Sequence, residues 1–161
     1  MTKKLLISLA FVLGAATTSM AENWERVGDA NTRFEGIINN VGKKPGVKQK
    51  DVLEAFEKFD YEVYVDTDSI KETSESEKTA QVKAVFLEEH DLVQPKNKFK
   101  YVLTEFAFNC SQDAIWVITG GVYDKDGIHL RDAQTVYVPV ALSKVSKNSL
   151  ERLLWEKVCL G

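Results

Sequence analysis

The chain has 161 residues, a formal net charge of −3 and two cysteines. That length suits one domain with a single core, and the mildly acidic balance gives no general attraction to nucleic acid. Two histidines and two cysteines, with no Cys-x-x-Cys, leave too few converging groups for a zinc centre.

The first residues have the three-part layout of a secretory leader. Lys3 and Lys4 precede an apolar run over residues 5–16, and Ser19, Met20 and Ala21 place small residues where a signal peptidase reads. The apolar run is too short to cross about 30 Å of hydrocarbon. Cleavage is expected after Ala21, giving a periplasmic or secreted domain over residues 22–161. No cysteine follows the cut, so no lipid anchor is expected, and no other run is long enough to span a bilayer.

Residues 23–27 alternate polar and apolar, as a first strand does. Residues 28–61 read as a helical insertion. Phe34, Ile37, Ile38 and Val41 give a short helical period, and Gly42, Pro45 and Gly46 interrupt it. Lys43, Lys44, Lys48 and Lys50 form either a solvated loop or an anion-binding rim, and an isolated charge run of this kind favours the loop. Asp51 is placed to cap a second helix whose apolar stripe is Val52, Leu53, Phe56 and Phe59.

The rest of the chain reads as an antiparallel succession of strands. Residues 62–66 alternate, and residues 67–70 follow as a turn. Residues 71–78 form an exposed tip, and residues 79–87 return as a strand. Residues 88–98 are a charged connection containing Pro95. The longest β run covers residues 98–109. Residues 114–119 are nearly all apolar, as in a central strand, and Gly120-Gly121 permits a bulge. Residues 124–127 make a hairpin turn that ends on Gly127, and residues 133–138 pair back until Pro139. No βαβ unit repeats, which argues against a parallel nucleotide-binding sheet.

Leu150, Leu153, Leu154 and Val158 form one stripe of a C-terminal helix. Asn148 followed by Glu151 has the spacing of a cap with a reciprocal carboxylate. Cys110 ends the long strand and Cys159 ends the helix. Two cysteines permit one pairing, and an oxidising compartment favours it over two buried thiols. The expected fold is α+β: an antiparallel sheet of about six strands with a C-terminal helix packed on it and one disulfide.

Candidate chemistry is sparse. His90 lies among Glu88, Glu89 and Asp91, and reads as an exposed loop histidine rather than a metal ligand. Asp124 and Asp126 begin like a calcium loop, but Thr135 stands where the bidentate Glu is needed. Asp66 and Asp68 share a face as paired carboxylates would, yet a turn-forming role suffices. No nucleophile motif or phosphate loop occurs, so the chain is read as a non-enzyme without cofactors. Exposed aromatics on a single-layer sheet mark a partner surface. The residues singled out for it are Lys96, Lys98, Lys100 and Tyr101, cations flanking an aromatic on an edge-like strand.

These features together resemble the surface-adhesin protein E-like family of small exported Gram-negative bacterial proteins. The shared pattern runs from Trp24 through Tyr64-Val65-Asp66, Ser69-Ile70 and residues 81–86. It continues through Asn109-Cys110, Pro139 and Ser143 to Val158-Cys159, and so covers most of residues 24–159. The resemblance implies a sheet of about six strands, a packed helix, the same disulfide and non-enzymatic binding. The adhesin that names the family captures host matrix and serum proteins such as vitronectin, laminin and plasminogen, and pairs as a dimer. Unlike it, this chain lacks a lipid-anchor cysteine. The expected partner is therefore a protein or cell-envelope component, with a homodimer as a further expectation. A periplasmic inhibitor of a lytic enzyme such as lysozyme is the alternative, with the turn at 124–127 as its inserting loop.

Overall fold

A computed structural model describes residues 22–28, 32–42, 50–93, 95–133 and 139–161. The leader, most of the lysine-bearing loop (residues 43–49) and residues 134–138 of the returning strand lie outside the described residues.

The chain forms a seven-stranded antiparallel sheet. Its strands are β1 (Trp24–Gly28), β2 (Tyr61–Glu72), β3 (Glu77–Leu92), β4 (Asn97–Asn109), β5 (Ala114–Tyr123), β6 (His129–Ala133) and β7 (Val140–Ala141). Sequential strands are neighbours from β1 to β6, and β7 pairs with β5. Between β1 and β2 lie α1 (Gly36–Gly42) and α2 (Lys50–Lys58). A 3-10 turn (Leu142–Lys144) leads to α3 (Leu150–Trp155), which winds on as a π-helical turn (Glu156–Leu160).

Strand alternation divides the sheet into two faces. On one face, Val63, Val65, Val82, Ala84, Phe86, Val102, Phe106, Phe108, Ile115 and Val122 are buried. Val52, Leu150, Leu154 and Val158 from the helices complete this core, with Ile37, Ile38 and Phe56 packed against it. Full burial of a side chain such as Leu154 stabilises by roughly 1.5–3 kcal/mol. The Cys110–Cys159 disulfide closes the end of this layer, with Cα atoms 5.5 Å apart. Beside it, the Trp155 indole N–H donates to the Asn109 carbonyl at 3.2 Å.

Four expected boundaries differ. Residues 67–70 are not a turn, because β2 runs on to Glu72 through a register shift between Asp66 and Lys71. The Asp66 carboxylate makes the irregularity possible by accepting the Asp68 N–H at 3.1 Å. Residues 88–98 are mostly strand, since β3 reaches Leu92 and pairs with β4 from Asn97 onward. Their polar side chains flank a hairpin whose backbone bonds come from the neighbouring strand. The bulge lies at Ile118 rather than at Gly120-Gly121, which stay in register with Thr104 and Leu103. The returning strand begins earlier than residue 133, at His129. Gly127 does take a positive φ of 82° in the preceding turn.

The cap of α3 also differs. Ser149, not Asn148, is the N-cap, and its hydroxyl accepts the Arg152 N–H. Glu151 does not fold back on its own helix. It is fully buried, and its carboxylate accepts the backbone N–H groups of Glu35, Gly36 and Ile37 at the start of α1.

Candidate binding face

With the helices all packed on one side, the opposite side of the sheet carries no described helix. Alternation sends Trp24, Tyr64, Lys83, Tyr101 and Tyr123 toward it from five successive strands. Arg26 stands opposite Tyr64, Tyr64 opposite Lys83, and Tyr101 opposite Tyr123. His129 of β6 stands opposite Tyr123 and extends the series to a sixth strand.

The side chains form a continuous row. Lys83 Nζ lies 4.0 Å from the Trp24 ring centroid and 5.7 Å from that of Tyr101. The Tyr101 and Tyr123 rings stack at 5.0 Å with planes 2° apart. The His129 ring meets Tyr123 edge-on at 5.2 Å. Trp24, Lys83 and Tyr101 are half-buried, and a cation–π pair contributes about 0.5–1 kcal/mol when exposed and more as it is desolvated. Gly121 permits this packing, because a Cβ there would stand 2.9 Å from the Tyr123 ring and 3.0 Å from His129. The turn at 124–127 closes one end of the row. It is held by the Asp124 carboxylate, which accepts the Asp126 and Ile128 N–H groups at 2.9 and 2.8 Å.

Two phenols on this face, Tyr64 and Tyr101, are held in the protonated form. Tyr64 donates to Glu62 at 2.6 Å, and that hydrogen bond, with burial and the Glu62 charge, raises its pKa. Burial raises that of Tyr101, helped by Tyr123, Asp124 and Glu22. The face therefore offers the Tyr64 and Tyr101 hydroxyls, aromatic surface and the Lys83 side chain between the rings. This chemistry suits non-covalent recognition.

A family profile described as surface-adhesin protein E matches residues 51–160. The chain belongs to the surface-adhesin protein E family. No curated protein matches it. Membership makes it an adhesin-like surface protein. The matched range runs from α2 to the π-helical turn and includes both cysteines, Lys83, Tyr101, Tyr123 and His129; Trp24 precedes it. No helix among the described residues is long and apolar enough to cross a membrane.

The residues singled out from sequence divide in this structure. Tyr101 is part of the row. Lys96 and Lys98 are exposed, at the β3–β4 turn and the start of β4. Lys100 Nζ donates to the Leu87 carbonyl at 2.8 Å. Their strand is not an edge: β4 lies between β3 and β5, although its register with β5 starts only at Tyr101. The row's cation is Lys83, whose rings come from strands on either side of it. Strand alternation sets Lys83 on the face opposite Val82 and Ala84, but no local signal names its partners.

Other candidate groups have structural roles. Asp66 is buried and accepts the Asn23 and Asp68 N–H groups, whereas Asp68 is exposed. His90 is not in an exposed loop. It lies on β3, with its ring stacked 3.9 Å from that of Phe59 and its Nε2 buried without a hydrogen-bond partner. Among the described residues, no group of three or more His, Cys, Asp or Glu could hold a metal ion.

Proposed function

We propose that this is an exported, non-enzymatic binding protein. Its leader is cleaved after Ala21, and it engages a protein partner through the sheet face that carries no described helix. The partner is a host matrix or serum protein, or a protein of the cell envelope. The observation that carries the reading is the Trp24–Lys83–Tyr101–Tyr123 row on the side of the sheet away from the helices. Tyr and Trp dominate the energetics of protein interfaces, and ordinary surface packing does not require them in a row. Lys96, Lys98 and Lys100 flank the face as a basic rim that would speed association more than it tightens binding.

The test uses the mature chain immobilised against purified matrix, serum and envelope proteins. For a captured partner, Lys83→Ala with Tyr101→Ala should weaken binding by at least about tenfold, the effect of losing roughly 1.4 kcal/mol. Charge reversal of the three lysines should act mainly on the association rate. A partner bound equally well by both variants would refute the assignment of the face. Sedimentation of the same variants tests whether a second copy of the chain occupies it.

The inhibitor reading draws support from the turn at 124–127, which the Asp124 carboxylate holds rigid beside the row. Inhibition of a panel of lysozymes that is lost in Asp124→Ala but kept in Lys83→Ala would favour it.

A further inference from the structure

Tyr101 and Tyr123 stand directly opposite each other on β4 and β5, with parallel rings whose centroids are 5.0 Å apart. Antiparallel pairing fixes the Cβ atoms of two such residues about 4.5–5.5 Å apart, so the phenols stay neighbours while the sheet holds. Both side chains are half-buried on the side of the sheet without a described helix, where an oxidant can reach them.

Among the described residues, these are the one pair of tyrosine rings in contact. Tyr61 is fully buried and packs against Phe56 and Phe86. Tyr64 stands opposite Lys83 rather than a tyrosine, and its hydroxyl donates to Glu62. The carbons that couple two oxidised tyrosines are the Cε atoms beside the hydroxyls. A Cβ at Gly121 would lie 2.9 Å from Tyr123 Cε2, so the glycine leaves that edge of the ring room to turn.

We propose that Tyr101 and Tyr123 are an oxidative modification site, at which a haem peroxidase with hydrogen peroxide forms an intramolecular dityrosine bond. Each phenol gives one electron to the peroxidase and its hydroxyl proton to water, which leaves two neutral phenoxyl radicals. The rings turn from face-to-face to edge-to-edge, and the radicals join Cε to Cε. The hydrogen on each joined carbon then moves through water to the oxygen, which restores both hydroxyls. Overall two ring hydrogens leave as two protons and two electrons, and these reduce one hydrogen peroxide to two waters. The new bond ties β4 to β5 in the half of β4 away from Cys110. The proposal does not rest on the partner-binding reading, because it concerns the chain alone.

The test treats the mature, disulfide-bonded chain at low concentration with a haem peroxidase and hydrogen peroxide. The expected product is a monomer with dityrosine fluorescence. Its digest should contain one linked peptide pair carrying Tyr101 and Tyr123, lighter than the two separate peptides by two hydrogen atoms. Tyr101→Phe and Tyr123→Phe each keep a ring in the stack but remove a hydroxyl that radical formation needs, so each should abolish the fluorescent monomer. Tyr64→Phe should leave its yield unchanged. Links found only between chains or at other tyrosines would overturn the proposal. So would recovery of uncoupled Tyr101 and Tyr123 from a mixture in which added free tyrosine does couple.

Discussion

Glu151 and Gly36 are separated by 115 residues, yet the Glu151 carboxylate accepts the Gly36 N–H at 2.8 Å. The same carboxylate takes the N–H groups of Glu35 and Ile37, so one buried side chain on α3 satisfies the free donors at the start of α1. Hydrogen bonds to a charged acceptor contribute about 1.5–3 kcal/mol, and orphaned buried donors cost a similar amount. Glu151→Ala should therefore lower the unfolding free energy by about 3 kcal/mol, and Glu151→Gln by less. Urea denaturation measures both. An unaffected Glu151→Ala would mean that water replaces the carboxylate without loss.

The disulfide closes a loop with a sequence separation of 49. The chain-entropy model gives about 4 kcal/mol for a loop of this size, an upper guide. Cys110→Ser with Cys159→Ser should lose up to that amount. It should also change Trp155 fluorescence, because the indole sits beside the bridge. Oxidised protein from its native compartment should show no free thiol on denaturation; two titratable thiols would contradict the pairing.

Acid should weaken the fold through two carboxylates. Burial raises the Asp51 pKa, but the Arg131 side chain and the Val93 and Val52 N–H groups outweigh it and hold the carboxyl below its ordinary value. Glu35 is lowered by hydrogen bonds from the Ser146 hydroxyl and N–H. Both contributions are fully present above the unfolded carboxylate pKa of about 4 and are lost as pH falls through the folded values. Asp51→Asn should cost about 2 kcal/mol at pH 7, in the range for a hydrogen-bonded charge. That cost should shrink toward pH 2.5 in urea titrations. A constant cost across this window would show that the Asp51 charge is not what matters.

His90 should give a second pH response. Burial lowers its pKa, Lys100 adds to the lowering, and Glu88 and Asp91 oppose it. Below the unfolded histidine value of about 6.5 the unfolded chain takes up a proton that the folded chain resists. Stability should therefore decline as pH falls from about 6.5 toward the folded value. His90→Phe should abolish that decline. It should also add about 1 kcal/mol at pH 7, since the ring already lies against Phe59, Phe86 and Phe99 and its Nε2 is unsatisfied. Melting temperatures at pH 7.5 and 5.5 for both proteins check this; an equal drop in each would assign the effect elsewhere.

The antiparallel order of strands was legible because alternation and turn residues are local signals. The same holds for the helix that ends at Cys159. Residues 67–70 and 88–92 resemble loops in their polar side chains, yet β2 and β3 run through them across register shifts, and pairing resumes only at Lys71 and His90. Ser149 displaced Asn148 as the cap, and Glu151 turned toward α1, since its partners lie more than a hundred residues earlier. The aromatic row was half legible. Tyr101 stood out as an aromatic on a long strand, whereas Lys83 gains its meaning from rings on β1 and β4.

The ion pair between Lys157 and Glu25 joins the π-helical turn to β1. With α3 seated partly on that same first strand, the opening and closing segments of the domain complete each other. A polypeptide emerging vectorially, from ribosome or translocation channel, must hold a sheet that lacks part of its helical cover until α3 and the π-helical turn arrive. Contacts of such long range slow the last folding step. For that interval the part of the core side that α3 covers is exposed, and a holdase chaperone would find its client there.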